Sequence, residues 1–169
     1  NDALEISNTS IDVTGTRAKG IDTVDLSANI SGAKIVVSGD SGVGLGISSC
    51  RNSEISNTSI DVTGSSAYGI SVFSSDVYIK DAVATIRSNE GTGAQIWNNS
   101  AVQMDNVRIT TYGDVSRGGE LGHGVRVIGG GAADPTAAAI SVIKNSVIKT
   151  FGIGTAGVMA DNGSKVQLI

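Results

Sequence analysis

The eleven-residue segment EISNTSIDVTG stands at Glu5–Gly15 and again, unchanged, at Glu54–Gly64. A chain that repeats itself at a fixed period builds a stack of like units, because one unit cannot bury its own apolar face. A looser copy, NISGAKIVVSG (Asn29–Gly39), lies between the two. YIKDAVATIRS (Tyr78–Ser88), QMDNVRITTYG (Gln103–Gly113) and VIKNSVIKTFG (Val142–Gly152) follow, and KVQLI opens a seventh. The period is about 24 residues, stretched to about 39 between Ile109 and Ile148.

Aligned on this period, the apolar residues fall into columns. The first reads Ile6, Ile30, Ile55, Ile79, Met104, Ile143 and Leu168. The second reads Ile11, Ile35, Ile60, Ala84, Ile109 and Ile148, with Val13, Val37, Val62, Ile86, Thr111 and Thr150 two places on. The third follows a glycine and reads Ile21, Ile47, Ile70, Ala94, Val125 and Val158. Within each segment apolar and polar residues alternate, which is strand periodicity; no window shows the i, i+3, i+4, i+7 pattern of a helix. Three short strands per repeat, each paired with its equivalents in the neighbouring repeats, make a right-handed parallel β-helix of about six coils, one domain over residues 1–169. With strands about 4.8 Å apart, the rod is roughly 30 Å long. Leucine-rich repeats share the period, but their LxxLxL spacing is absent, as is the calcium-binding nonapeptide.

Composition agrees. Hydrophobic residues make up 40% of the chain, so it holds a core, while 23 glycines and a single proline suit many tight turns. The net charge of −4 and scattered Lys and Arg leave no basic stripe for phosphates, so nucleic acid is not an expected partner. No apolar run approaches the ~18 residues of a membrane span. The lone Cys50 is expected to be a small filler, and neither metal nor cofactor is expected.

Two polar features have structural readings. Asn8, Asn57, Asp81, Asn106 and Asn145 share one position, with Gly32 in the same place, and are expected to form a ladder at a coil corner where left-handed backbone is tolerated. The glycines at 15, 39, 64, 113 and 152, and at 20, 46, 69, 124 and 157, suit positive φ or close backbone approach, not phosphate loops.

Signs of catalysis are thin. Asp12 and Asp61 share an outward column with Val36 between them, and no Arg, Lys or second acid is expected beside either. They lie within the duplicated block, so simple repetition accounts for them. His123, the only histidine, belongs to no GxSxG or HExxH motif. The outward column Asp12, Val36, Asp61, Thr85, Thr110, Lys149 is too mixed for an ice-binding Thr array.

The segments SAVQMDNVRITTYG (Ser100–Gly113) and IKNSVIKTFGIGTAGVMADNGSKVQL (Ile143–Leu168) resemble the GSxVxLxNxxIxTxGxxAxGVxA repeats of pertactin-like autotransporter passenger domains. The likeness extends over nearly the whole chain, more loosely at Asn29–Gly39 and Tyr78–Ser88. It implies a secreted or surface-displayed Gram-negative protein, of which this chain is a piece, exported through a C-terminal β-barrel encoded elsewhere. It also implies a non-enzymatic role in binding a host cell-surface protein, glycan or matrix. The alternatives are a carbohydrate-active β-helix of the lyase or hydrolase kind, and a stalk without a binding site of its own.

Two places are candidates for recognition. If Ile70, Ala94 and Val125 point inward, then Phe73, Trp97 and Ile128 align outward in successive coils. The lengthened coil carries insertions near 113–124 and 128–139, the first bringing Arg117, Glu120, His123 and Arg126, and loops on a rigid scaffold are where recognition usually resides.

Overall fold

The computed structural model describes residues 3–113, 122–129 and 139–169, and among these there is no helix. The first coil comprises β1 (Ala3–Ser7), β2 (Ser10–Thr14) and β3 (Lys19–Val24). The second is β4 (Ser27–Ser31), β5 (Lys34–Ser38) and β6 (Val43–Ser48), and the third β7 (Ser53–Ser56), β8 (Ser59–Gly64) and β9 (Tyr68–Phe73). The fourth is β10 (Asp76–Lys80), β11 (Val83–Ser88) and β12 (Thr92–Trp97). The fifth is β13 (Ala101–Asp105), β14 (Arg108–Tyr112) and β15 (Val125–Ile128). The sixth is β16 (Ile140–Lys144), β17 (Val147–Phe151) and β18 (Val158–Asp161), and β19 (Lys165–Leu168) opens a seventh. Every third strand joins the same parallel sheet: a first sheet from β1 to β19, a second from β2 to β17 and a third from β3 to β18. The molecule is a parallel β-helix, with the period and strand number expected from the repeats.

The first two apolar columns stand as read. Ile6, Ile30, Ile55, Ile79, Met104, Ile143 and Leu168 are consecutive partners, as are Ile11, Ile35, Ile60, Ala84, Ile109 and Ile148. In the middle coils they are sealed from water; Ile35, Ile55 and Ile79 are at 0% exposure. The residues packing the end coils, among them Leu4, Ile6, Ile11 and Val13, are only partly buried.

The third column needs one correction. Ile21 pairs with Leu45, not Ile47, and Ile47 stands beside Thr23 and Val72. The segment VGLGIS places apolar residues at three alternate positions, and a slip of two residues keeps every side chain on the same face, so alternation alone cannot fix the register. The glycines fix it. Their column runs Gly20, Gly44, Gly69, Gly93, Gly124 and Gly157, without the expected Gly46, which stands opposite Asp22. Here the third sheet begins hard against the second. A Cβ on Gly44 would lie 2.6 Å from the Gly69 carbonyl oxygen and closer still to Ile60 Cγ2.

Corners supply the remaining economy of the fold. Between the first and second sheets, Asn8, Gly32, Asn57, Asp81, Asn106 and Asn145 all adopt left-handed backbone, with φ from 48° at Asn8 to 66° at Gly32. Asn and Asp bear this conformation better than other side-chain-bearing residues. The amide of Asn8 donates to the carbonyl of Ser31 in the next coil at 2.8 Å, so the turn continues the ladder of hydrogen bonds. The side chains themselves link only in part: Asn106 donates to Asp81 at 2.7 Å, whereas Asn145 turns to Asp105 at 2.9 Å. A second left-handed corner, absent from the sequence reading, contains Asp25, Ser49, Ser74, Asn98 and Asn162 between the third and first sheets. Just after it, Ser75 Oγ accepts from the Cys50 amide and Ser100 Oγ from the Ser75 amide. Cys50 occupies the same serine position, 1% exposed, and its thiol donates to the Ser48 carbonyl at 3.1 Å. It fills a slot in the stack.

Candidate binding surfaces

A flat parallel sheet displays every second side chain to solvent, so the outward columns are decided by the same registers as the core. On the third sheet Phe73, Trp97 and Ile128 are consecutive partners in β9, β12 and β15. They face outward, as Val72, Ile96 and Val127 face in. Phe73 is 44% and Trp97 36% exposed, and Ile128 is half-buried. Beside them at the corner, the Asn98 amide donates to Ser74 Oγ. The column therefore offers apolar area with a polar border, and it rests on coils whose inner residues are fully buried.

The residues expected around the first insertion are distributed differently. Arg117 and Glu120, with most of both insertions (114–121 and 130–138), lie outside the described residues. His123 is only 3% exposed; its Nδ1 accepts from the Ala156 amide at 3.1 Å and its carbonyl accepts from the Gly93 amide at 2.9 Å. The imidazole thus joins coil to coil. Arg126 faces outward from β15 but is engaged by Asp161 of β18, through Nε at 3.2 Å and a terminal nitrogen at 2.8 Å, with its side chain 11% exposed.

One detail of the acids is corrected. Asp61 has a cation beside it after all: Arg87, in the adjacent outward column one coil on, reaches it at 2.6 Å. The register Asp12, Val36, Asp61 is otherwise as read. The first sheet bears an open groove of about 480 Å³ bordered by Asn52, Glu54, Asp76, Tyr78 and Gln103. Its two carboxylates belong to neighbouring coils. Farther along that sheet, Asn145 and Lys144 both donate to Asp105 and hold its carboxyl below the usual aspartate range. Among the described residues there is no grouping of three or more His, Cys, Asp or Glu able to hold a metal ion, and no helix long and apolar enough to cross a membrane.

No protein-family model, curated protein or solved structure matches this chain.

Proposed function

We propose that this chain is a non-enzymatic binding module from the passenger of a Gram-negative autotransporter. It acts at the bacterial surface or after release and recognises a host cell-surface protein. The observation carrying this reading is the outward column Phe73–Trp97–Ile128: three apolar side chains aligned in successive coils of a rigid scaffold. Contiguous exposed apolar groups with a polar rim mark interaction sites more often than isolated ones do. The likeness of the repeats to pertactin-like passengers supports the surface setting, and a β-helix suits it, since a rod projects its faces away from a membrane.

The test is capture of host-cell membrane proteins by the parent chain and by a Phe73→Ser, Trp97→Ser variant. Both substitutions are at exposed positions, so melting should be unchanged while binding falls at least tenfold. Binding at parental strength by the double variant would refute the assignment of this column. Release of sugars or unsaturated products from acidic or neutral polysaccharides by the parent would refute the non-enzymatic reading.

A further inference from the structure

The outer face of the second sheet changes character along the rod. In its first three coils the outward positions are Ser10, Asp12 and Thr14, then Lys34, Val36 and Ser38, then Ser59, Asp61 and Thr63. In the next three they are Val83, Thr85 and Arg87, then Arg108, Thr110 and Tyr112, then Val147, Lys149 and Phe151. The second half thus presents three cations, two aromatic rings and two threonine hydroxyls on one flat lattice, without an acid among its nine outward side chains. This occurs in a chain of net charge −4. Three acids near this face are ion-paired: Asp61 with Arg87, whose charge it offsets, Asp81 with Lys80 at 3.9 Å and Asp105 with Lys144 at 3.2 Å.

The apolar members are in solvent. Tyr112 is 43% exposed, Phe151 52%, Val83 44% and Val147 45%. The two rings stack with centroids 5.1 Å apart and planes 11° from parallel, which fixes each against the other. At the edge of the lattice a groove of about 410 Å³ opens between Arg87, Asn89, Tyr112 and the backbone of Gly64 and Gly113. One cation, Arg87, and one ring, Tyr112, border this recess.

From this arrangement we infer that the second-sheet face of coils four to six binds an acidic polysaccharide, one bearing sulfate or carboxylate groups. Arg108 and Lys149 meet the anions, with Arg87, held by Asp61, at their border; guanidinium and ammonium groups make their strongest hydrogen bonds to such oxygens. The rings of Tyr112 and Phe151 supply apolar surface for the C–H faces of the sugars, and Thr85 and Thr110 supply hydroxyls. Coils advance by about 4.8 Å, so one row of side chains meets each successive unit of a ligand lying along the axis. Nucleic acid fits less well. Its phosphates call for a longer basic track, and farther along the face a duplex would meet Asp12. An anionic bilayer would bury the same rings, so binding to phosphatidylserine vesicles is the outcome that distinguishes it. The face is distinct from the third-sheet column, so either assignment can fail alone.

The experiment measures binding of the whole chain to heparin, to chemically desulfated heparin, to duplex DNA and to phosphatidylserine vesicles, at low and high salt. Heparin should bind, with affinity falling steeply as salt rises, and desulfated heparin at least tenfold more weakly. Arg108→Ala with Lys149→Ala should cost at least about tenfold in heparin affinity. Tyr112→Ala with Phe151→Ala should weaken binding several-fold and leave the salt slope in place. Phe73→Ser with Trp97→Ser should bind heparin as the parent does. Parental heparin affinity in the Arg108, Lys149 variant overturns the inference, as does equal binding of desulfated heparin. Tighter binding to DNA or to vesicles than to heparin also overturns it. All these variants are at exposed sites, and a melting curve for each confirms that the comparison is between folded proteins.

Discussion

Gly44→Ala and Gly157→Ala are the same substitution at equivalent positions of one column, and they should have opposite effects. At Gly44 the added methyl meets Ile60 Cγ2, the Gly69 carbonyl oxygen at 2.6 Å and Val62 Cγ2 at 3.1 Å. Ile60 and Val62 are fully enclosed, and the Gly69 oxygen belongs to the backbone of the next coil, so neither side can yield without parting two coils. Overpacking a dense core costs about 1–3 kcal/mol, and displacement of ladder backbone places this case at the upper end. For a chain of this size that is a drop in Tm of roughly 6–12 °C. At Gly157, in the last complete coil, nothing lies within 4 Å of the added carbon and φ is not in the left-handed range. There the loss of backbone freedom in the unfolded chain should stabilise by about 0.4–1 kcal/mol. Thermal and urea melts followed by far-ultraviolet circular dichroism give both numbers. Equal destabilisation by the two substitutions would show that the column is glycine for reasons of backbone conformation, and the close-packing argument would be wrong.

Three other outcomes are expected. Ile60→Asp places an unpaired carboxylate at a 1% exposed site and should abolish the β-sheet dichroism at 25 °C, the cost being several kcal/mol; a parental melt would mean that this column does not face the core. His123→Phe leaves the Ala156 amide without its acceptor and should destabilise by about 1–3 kcal/mol, with faster hydrogen exchange at that amide as the specific sign. Because Asn145 and Lys144 lower the folded pKa of Asp105, its contribution to stability is complete above the ordinary aspartate range and is lost as pH falls through the lowered value. Asp105→Asn should therefore lower Tm at neutral pH and flatten its decline below about pH 4, where the parent loses the same contribution; an acid limb as steep as the parent's would exclude Asp105 as a source of it.

The core was legible because its rule is local and repeated. Ile30, Ile55 and Ile79 announce one another by spacing alone, and the outward run Phe73, Trp97, Ile128 followed from the same alternation. Where the text of the repeat is degenerate the reading slipped: Leu45 and Ile47 are both apolar and both inward, and only the clearance around Gly44 distinguishes them. Interactions between columns were harder still. Arg87 reaches Asp61 diagonally in the adjacent coil, and Arg126 reaches Asp161 across the stretched repeat. The cluster of Arg87, Arg108 and Lys149 was invisible for the same reason. These residues are far apart in sequence, the last of them beyond both insertions, and read along the chain they are scattered charges. His123 shows the converse, since a lone histidine near a charged insertion gives no sign that its ring is enclosed between coils.

The ladder that joins each coil to the next also decides how the rod would yield under load. Its hydrogen bonds lie along the long axis, so tension between the two ends acts on one coil at a time. Peeling an ordinary coil of about 24 residues releases some 80 Å of extended chain, and the stretched fifth repeat, about 39 residues long, releases roughly 130 Å. Under shear flow such a rod would lengthen in steps, one coil at a time, rather than extend smoothly.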